Sequence, residues 1–187
     1  RLLKAGFRGV TFLDLSAGMI GECRDKLADH DPSRWTAIEA DIVDMAPVAD
    51  GAHDLAISQG DILSFCSDPA RALAETRRVL APGGVACFSV DNKFAALEWF
   101  FATDRVRELP RFLRDGRTIF QSKKDDSFPT RMFEPEELKK MFTAAGLEPL
   151  ACYSKTVLPV RAPDQLLRDP ALFKMLLEME LDLGRDA

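Results

Sequence analysis

The sequence predicts an α/β fold, a doubly wound parallel sheet flanked by helices, and three observations predict it. Short β-prone runs alternate with amphipathic helical stretches: Val10 to Asp14, Arg34 to Asp41, His53 to Gln59 and Val85 to Val90 are the runs. Strand, helix, strand at this rhythm implies right-handed crossovers between parallel strands. The first two runs each finish on a carboxylate, Asp14 and Asp41, at the end of the sheet where open α/β folds bind ligands. Between the last two runs, a helix opened by Asp68-Pro69 is stopped by Pro82-Gly83-Gly84, the punctuation of a return from helix to strand.

Taken in order, Arg1 to Gly6 reads as the last turns of a helix capped by Gly6, so the reading expects chain upstream of it. After the first strand, Met19, Ile20, Cys23 and Leu27 recur at helical spacing with Glu22, Arg24, Asp25 and Lys26 opposite them, a surface helix packed on a sheet. The second strand leads through Ile42 to a loop holding Pro47 and Gly51. The third carries Leu55, Ala56 and Ile57 contiguously, which predicts a central strand buried on both faces. The helix from Asp68 runs through Ala70, Leu73, Arg77 and Leu80 before the fourth strand.

The chain has 187 residues, of which 47% are hydrophobic and 29% charged, the composition of one globular domain. A formal net charge of -5 argues against a surface that neutralises nucleic-acid phosphates. There is neither an apolar run of membrane-spanning length nor a signal-peptide pattern, so the cytoplasm is the expected location. Cys23, Cys66, Cys87 and Cys152 are scattered through apolar contexts and are expected to be buried free thiols. His30 and His53 stand apart from any ligand cluster, so no metal site is expected.

A carboxylate at a strand tip accepts hydrogen bonds from both hydroxyls of a ribose; it equally closes a turn or caps the helix that follows. Two such tips side by side, Asp14 and Asp41, would line one crevice, with the first on a ribose and the second on the amino group of a purine. Ile42 would then lie against the base and offer its backbone N–H. The turn reading of both acids stands beside this one.

The run from Asp54 to Val90 resembles the central part of class I S-adenosylmethionine-dependent methyltransferases of the small-molecule type. It shows an aspartate-led strand from Asp54, a loop from Gly60 to Ser64, Glu75 to Leu80 as Glu-x-x-Arg-Val-Leu, and the Pro82 to Gly84 turn. Phe12 to Ile20 resembles the family's Asp-x-Ser-x-x-Met-Leu segment, and Met132 to Leu138 with Ala145-Gly146-Leu147 resembles its late helix feeding an antiparallel strand. The likeness covers roughly residues 1 to 155, in order and at matching spacing.

The resemblance implies a Rossmann-like sheet in a single domain over residues 1–187, with S-adenosylmethionine as cofactor and methyl transfer to a small molecule. Its cofactor residues would be Asp14, Leu15, Met19, Asp41, Ile42, Gln59 and Gly60, the last two near the reacting methyl. Asp61 would be either a general base or the cap of a short helix, and Asp54, at the wrong end of its strand, structural. The family's first strand and glycine-rich loop have no counterpart here, since Gly18 and Gly21 follow the wrong strand and sit in a helix. Nor does a final strand follow Leu176 to Asp182. The chain is therefore expected to be a fragment of such an enzyme.

Residues 92–131 hold Phe94, Leu97, Trp99, Phe100 and Phe101, then Arg105, Arg107, Arg111, Arg114 and Arg117. The resemblance makes this insertion a lid shaping the acceptor pocket; aromatics at helical spacing are otherwise core, and the arginines solvated. Two rival functions remain open on sequence, a nicotinamide-dependent oxidoreductase and a non-catalytic binding or partner module of the same fold.

Overall fold

The computed structural model describes residues 1–123, 126–154 and 168–185. β1 (Val10–Asp14) and β2 (Trp35–Glu39) pair in parallel, Val10 opposite Trp35 and Asp14 opposite Glu39. Between them α1 (Ala17–Leu27) starts at Ser16, whose side chain accepts a hydrogen bond from the Met19 N–H, and packs on both strands. Of its four apolar positions only Ile20 is buried; Cys23 and Leu27 are half-buried, and Met19 is 53% exposed. A two-stranded platform is too narrow to cover a helix face wider than one residue per turn. The opening turn is tied down by Arg34, whose guanidinium donates to the carbonyls of Leu3 at 3.0 Å and Phe7 at 2.9 Å.

β3 (His53–Ser58), α2 (Ile62–Phe65), α3 (Pro69–Val79) and β4 (Leu80–Phe88) form the second parallel unit. The Asp68 side chain caps α3 by accepting from the N–H groups of Ala70 and Arg71. The glycine-rich turn does not precede the strand, as the sequence suggests, but lies inside it. The register steps from His53–Leu80 to Leu55–Val85, so residues 81–84 bulge out opposite Asp54. Gly84 makes this crossing possible: a Cβ there would lie 3.0 Å from the Ala81 carbonyl oxygen and 3.2 Å from that of Asp54.

The expectation that β3 is a central strand is corrected. It pairs only with β4, and β1–β2 and β3–β4 are separate two-stranded sheets among the described residues. Leu55 and Ile57, opposite Val85 and Cys87, form an uncovered face, with Ile57 48% exposed. Contiguous apolar residues report that both faces require burial; they do not report which neighbours supply it. Cys87 is for the same reason exposed rather than buried, while Cys23, Cys66 and Cys152 are half-buried; all four thiols are free.

α3 joins the two parallel units. Val79 packs with Met45 and Val48 against Leu13 of β1 and Ile38 of β2, and Ala72 and Leu73 sit in a cluster with Leu63, Phe133 and Phe88 of β4. Its polar face holds the loop between β2 and β3. Arg78 donates to the carbonyls of Met45 and Val48, both at 2.8 Å, and pairs with Asp50 at 2.7 Å and Glu75 at 2.8 Å. Glu75 in turn accepts the Met45 N–H, and Arg71 Nε donates to the Val43 carbonyl.

The insertion builds its own core. α4 (Leu97–Ala102) and α5 (Leu109–Asp115) bury Phe100 and Phe112 against Ala96, and the antiparallel hairpin β5 (Arg117–Lys123) and β6 (Asp126–Arg131) follows. Phe94 and Phe101 are exposed, as are Arg107, Arg111, Arg114 and Arg117. The insertion leaves and rejoins the domain at one neck, where the Lys93 N–H donates to Phe133 O and the Phe133 N–H to Asp91 O. There the buried Lys93 pairs with Glu134 at 2.8 Å and donates to the Leu113 carbonyl. α6 (Pro135–Ala144) ends at Gly146, with φ +77°. No strand forms over residues 147–154, and residues 155–167 lie outside the described ones. α7 (Pro170–Arg185) contains the helix expected over Leu176 to Asp182.

Replacing Arg78 with Met should cost about 2–3 kcal/mol of unfolding free energy in a urea titration, because the two carbonyls and two carboxylates it serves lose a charged donor. Bonding to Arg78, and to the Met45 amide, holds the Glu75 carboxyl below its ordinary 4.5 against the opposing effect of burial. A depressed folded pKa means that this stabilisation is complete above 4.5 and lost as pH falls through the folded value. Glu75→Gln should flatten that part of the acid limb of a stability–pH curve. Gly84→Ala should destabilise by about 1–3 kcal/mol in the same titration, since backbone oxygens cannot move aside.

Candidate functional site

The parallel register of β1 and β2 decides where the two acids lie. Beyond the Asp14–Glu39 pair the ladder runs one step further, the Ala40 N–H donating to the Asp14 carbonyl at 3.1 Å. Asp41, next in the chain, therefore emerges beside Asp14 at the C-terminal end of the strands. Each acid closes a turn with one oxygen: Asp14 Oδ1 accepts the Ser16 N–H at 2.8 Å, and Asp41 Oδ1 the Val43 N–H at 3.1 Å. The turn reading and the ligand reading are thus compatible, because neither Oδ2 has a partner among the described residues. Leu15 and Met19, 69% and 53% exposed, border the acids with apolar surface. Ile42 is half-buried in the cluster of Met45 and Val48, on the loop segment that α3 holds through Arg71, Glu75 and Arg78.

The second group of candidates sits at the tip of β3. Gly60 takes φ +135° and Asp61 φ +59°, a turn that points both N–H groups at one acceptor, Ser89 Oγ, at 3.0 and 3.2 Å. The Ser89 N–H is itself paired with the Ser58 carbonyl, and the residue is 7% exposed. Sequence reasoning passed over Ser89; the signal available was its place just beyond the tip of the strand that pairs with β3. The proposed cap role of Asp61 is corrected: its side chain makes no capping bond to α2, whose first turn is closed by the Asp61 carbonyl accepting the Ser64 N–H. An αL backbone at the N-cap turns the carboxyl away from the helix amides it would have to meet. The exposed Gln59 side chain donates to Cys87 Sγ at 3.4 Å and so lies along β4.

The structure therefore gathers Asp14, Leu15, Met19, Asp41 and Ile42 on the β1–β2 unit, and Gln59, Gly60 and Asp61 on the β3–β4 unit. Both groups lie at C-terminal strand ends, and α3 spans the two units. The insertion reaches the second group. Thr130 Oγ1 donates to the Ser64 carbonyl at 3.3 Å, the Asp91 N–H donates to Ser64 Oγ at 3.0 Å, and the Phe128 ring meets Phe65 edge-on at 5.4 Å. Two cavities lie elsewhere, one of 320 Å³ around Leu3, His30 and Arg34 and one of 380 Å³ around Glu134, Glu137 and Lys140. The strand tips form an open edge. No group of three or more His, Cys, Asp or Glu suited to a metal occurs among the described residues.

Comparison with known proteins bears on this edge. Residues 1–84 match the family model described as a methyltransferase domain. A malonyl-[acyl-carrier protein] O-methyltransferase of Serratia marcescens is 37% identical over 89 residues, 48% of this chain and 32% of that protein. The chain thus spans about a third of the length of the curated relatives it matches first. A SAM-dependent methyltransferase structure from Methanosarcina mazei aligns with a TM-score of 0.62 at 18% identity, over 76% of this chain and 71% of that one. An S-adenosylmethionine-dependent methyltransferase structure from Mesorhizobium loti aligns at 0.57 and 17% identity, over 93% and 77%. At these identities the likeness is one of fold, the Rossmann-like α/β arrangement that the strand rhythm predicts.

Ser89→Ala would leave the Gly60 and Asp61 amides without their shared acceptor. It should lower stability by about 1–2 kcal/mol, and amide hydrogen exchange at residues 60 and 61 should quicken while exchange in α3 stays at its wild-type rate.

Proposed function

We infer, from a chain whose residues 1–84 match the methyltransferase-domain family model, that the protein transfers the methyl group of S-adenosylmethionine to a small-molecule acceptor. The observation that carries the reading is the pair of neighbouring carboxylates, Asp14 and Asp41. Each is immobilised through one oxygen, and the other oxygen has no protein partner among the described residues. A nucleoside fits this arrangement. Asp14 would accept from the two ribose hydroxyls, and Asp41 from the exocyclic amine of adenine. Ile42 would lie against the base with its N–H toward a ring nitrogen, and Leu15 and Met19 would cover the remaining apolar edge. Gln59 and Gly60 belong, on this reading, toward the methyl-bearing end.

S-Adenosylmethionine supplies an electrophilic methyl group carried on a sulfonium. The work left to the chain is to hold donor and acceptor in line. Asp61 is the candidate base for an acceptor that must lose a proton. Among the described residues β1–β2 and β3–β4 have unpaired edges, which supports a further parallel strand as part of the working sheet. Residues 92–131 would act as the lid over the acceptor, supported by their contacts with α2. The net charge of -5 accords with a surface that does not neutralise nucleic-acid phosphates, and a cytoplasmic location is part of the same proposal. No helix among the described residues is long and apolar enough to cross a membrane.

Calorimetric titration of the gene product with S-adenosylhomocysteine tests the assignment. Asp14→Ala should weaken binding by about 2–4 kcal/mol through loss of charge-assisted hydrogen bonds, and Asp41→Ala by somewhat less. An unchanged dissociation constant for Asp14→Ala would remove the ribose role. Binding of NADH in preference to S-adenosylhomocysteine would overturn the class of enzyme.

A further inference from the structure

Five ring contacts run without a break from the helix that follows Gly60-Asp61 into the insertion. Phe65 meets Phe128 at 5.4 Å, Phe128 meets Phe120 at 5.4 Å, and Phe120 stacks on Trp99 at 6.5 Å with 23° between planes. Trp99 meets Phe100 at 5.0 Å, and Phe100 meets Phe112 at 4.6 Å. The inner end of this series is core, with Phe100 and Phe112 at 0% and 1% exposure. Its outer end is not: Phe65 is 45% and Phe120 39% exposed, with Phe128 half-buried between them. Rings that serve only to hold the insertion together would be expected at the inner end; three at the outer end are instead partly open to solvent, on and against α2, the helix that follows Gly60-Asp61.

The guanidinium that adjoins the rings is already paired. The Arg105 guanidinium lies over Trp99 at 4.5 Å and gives both Nε and Nη2 to Glu108 at 2.6 Å, with Nη1 on the Ile119 carbonyl. It covers part of Trp99 and is already paired as a counter-ion. A wall of rings whose adjoining guanidinium, that of Arg105, is already paired favours a flat, neutral molecule, which gains offset or edge-to-face ring contacts beyond simple area burial. An anionic acceptor would find no partner in Arg105.

We propose that Phe65, Phe120 and Phe128 form the acceptor wall, and that the acceptor class is a neutral planar aromatic compound stacked there with its nucleophilic atom toward Gly60-Asp61. This rests on the methyltransferase reading for the word acceptor, but the binding surface itself does not. The site is continuous with α2, because Thr130 of the same hairpin bonds the Ser64 carbonyl, so a molecule on the wall is held relative to the reactive turn and not to a separate lobe.

The test uses N-phenyl-1-naphthylamine, a neutral aromatic fluorophore, on the gene product carrying Trp35→Phe. Trp35 Nε1 is buried without a partner, so this exchange is mild and leaves Trp99 as the energy donor. The probe should show energy transfer from Trp99 and be displaced by 2-naphthol. Phe65→Ala and Phe120→Ala should each weaken it about tenfold. Leu55→Ala, on the other uncovered apolar face, should leave its affinity unchanged. Both rings are part-exposed, so the fold should tolerate their loss; Phe65→Leu and Phe120→Leu, which keep apolar bulk, should weaken the probe in the same order if any alanine variant misfolds. Unchanged affinity in the ring variants overturns the proposal, as does displacement by dodecanol but not by 2-naphthol, which would indicate an extended chain as the occupant. Affinity for S-adenosylhomocysteine, measured on the same samples, separates the two readings: its absence with the wall intact removes methyl transfer and keeps the aromatic site.

Discussion

The interaction on which the structure depends is the grip of α3 on the loop between β2 and β3. One guanidinium, Arg78, serves two carbonyls and two carboxylates, and Glu75 and Arg71 add bonds to Met45 and Val43. The loop carries Asp41 and Ile42 at its start, so the helix that packs both parallel units also holds half of the candidate nucleoside site. Polar contacts of this kind, part-buried at Met45 and Val48, specify position, because any displacement leaves a backbone group unpaired. The apolar contacts of Val79 with Leu13 and Ile38 supply attraction between the same elements but little direction.

Functional side chains at strand tips inherit their geometry from the ladder. Asp14 and Asp41 come together because a parallel pairing in register carries two C-terminal ends to the same side, and the Ala40–Asp14 hydrogen bond extends that pairing to the point where the second acid leaves. Turn closure by one oxygen of each carboxylate then removes rotational freedom, which a ligand would otherwise have to overcome on binding. On the other unit Ser89 performs the corresponding service for backbone donors, gathering the Gly60 and Asp61 amides on one hydroxyl. Both devices are made by hydrogen bonds within the chain.

The insertion is attached at two places and held together by a third set of contacts. A backbone neck with the buried Lys93–Glu134 pair sets where it emerges, the Thr130–Ser64 bond and the Phe65–Phe128 contact seat its hairpin on α2, and its own aromatic core keeps it in one piece. Breaking a buried ion pair leaves an uncompensated charge, so the neck is the firm end. The hairpin contact with α2 is lighter, and α2 is the helix that follows Gly60-Asp61. An element anchored at one side and lightly seated at the other accords with the lid role proposed for it.

Much was legible in the residues themselves. Four strands, the Asp68-capped helix and the two acidic tips follow from β-branched runs, capping chemistry and turn residues, which act over a few neighbours. What a neighbour-range signal does not contain went astray. The apolar run Leu55 to Ile57 implied a central strand, yet its neighbours are decided by which strands are present to pair. Gly84 reads as a stop before a strand, whereas it is the point where two backbone oxygens crowd a bulge within one. Ser89 carries no motif, since its importance comes from two amides that are 28 and 29 residues away in sequence. Sequence by itself determined the alternation of elements and the chemistry at their ends, because helix, strand and cap preferences are local free energies. Only the tertiary structure decided that one oxygen of each acid is spent on a turn and one left over, and that Phe65, Phe120 and Phe128 share a surface. Those are distances between segments, set by packing and register.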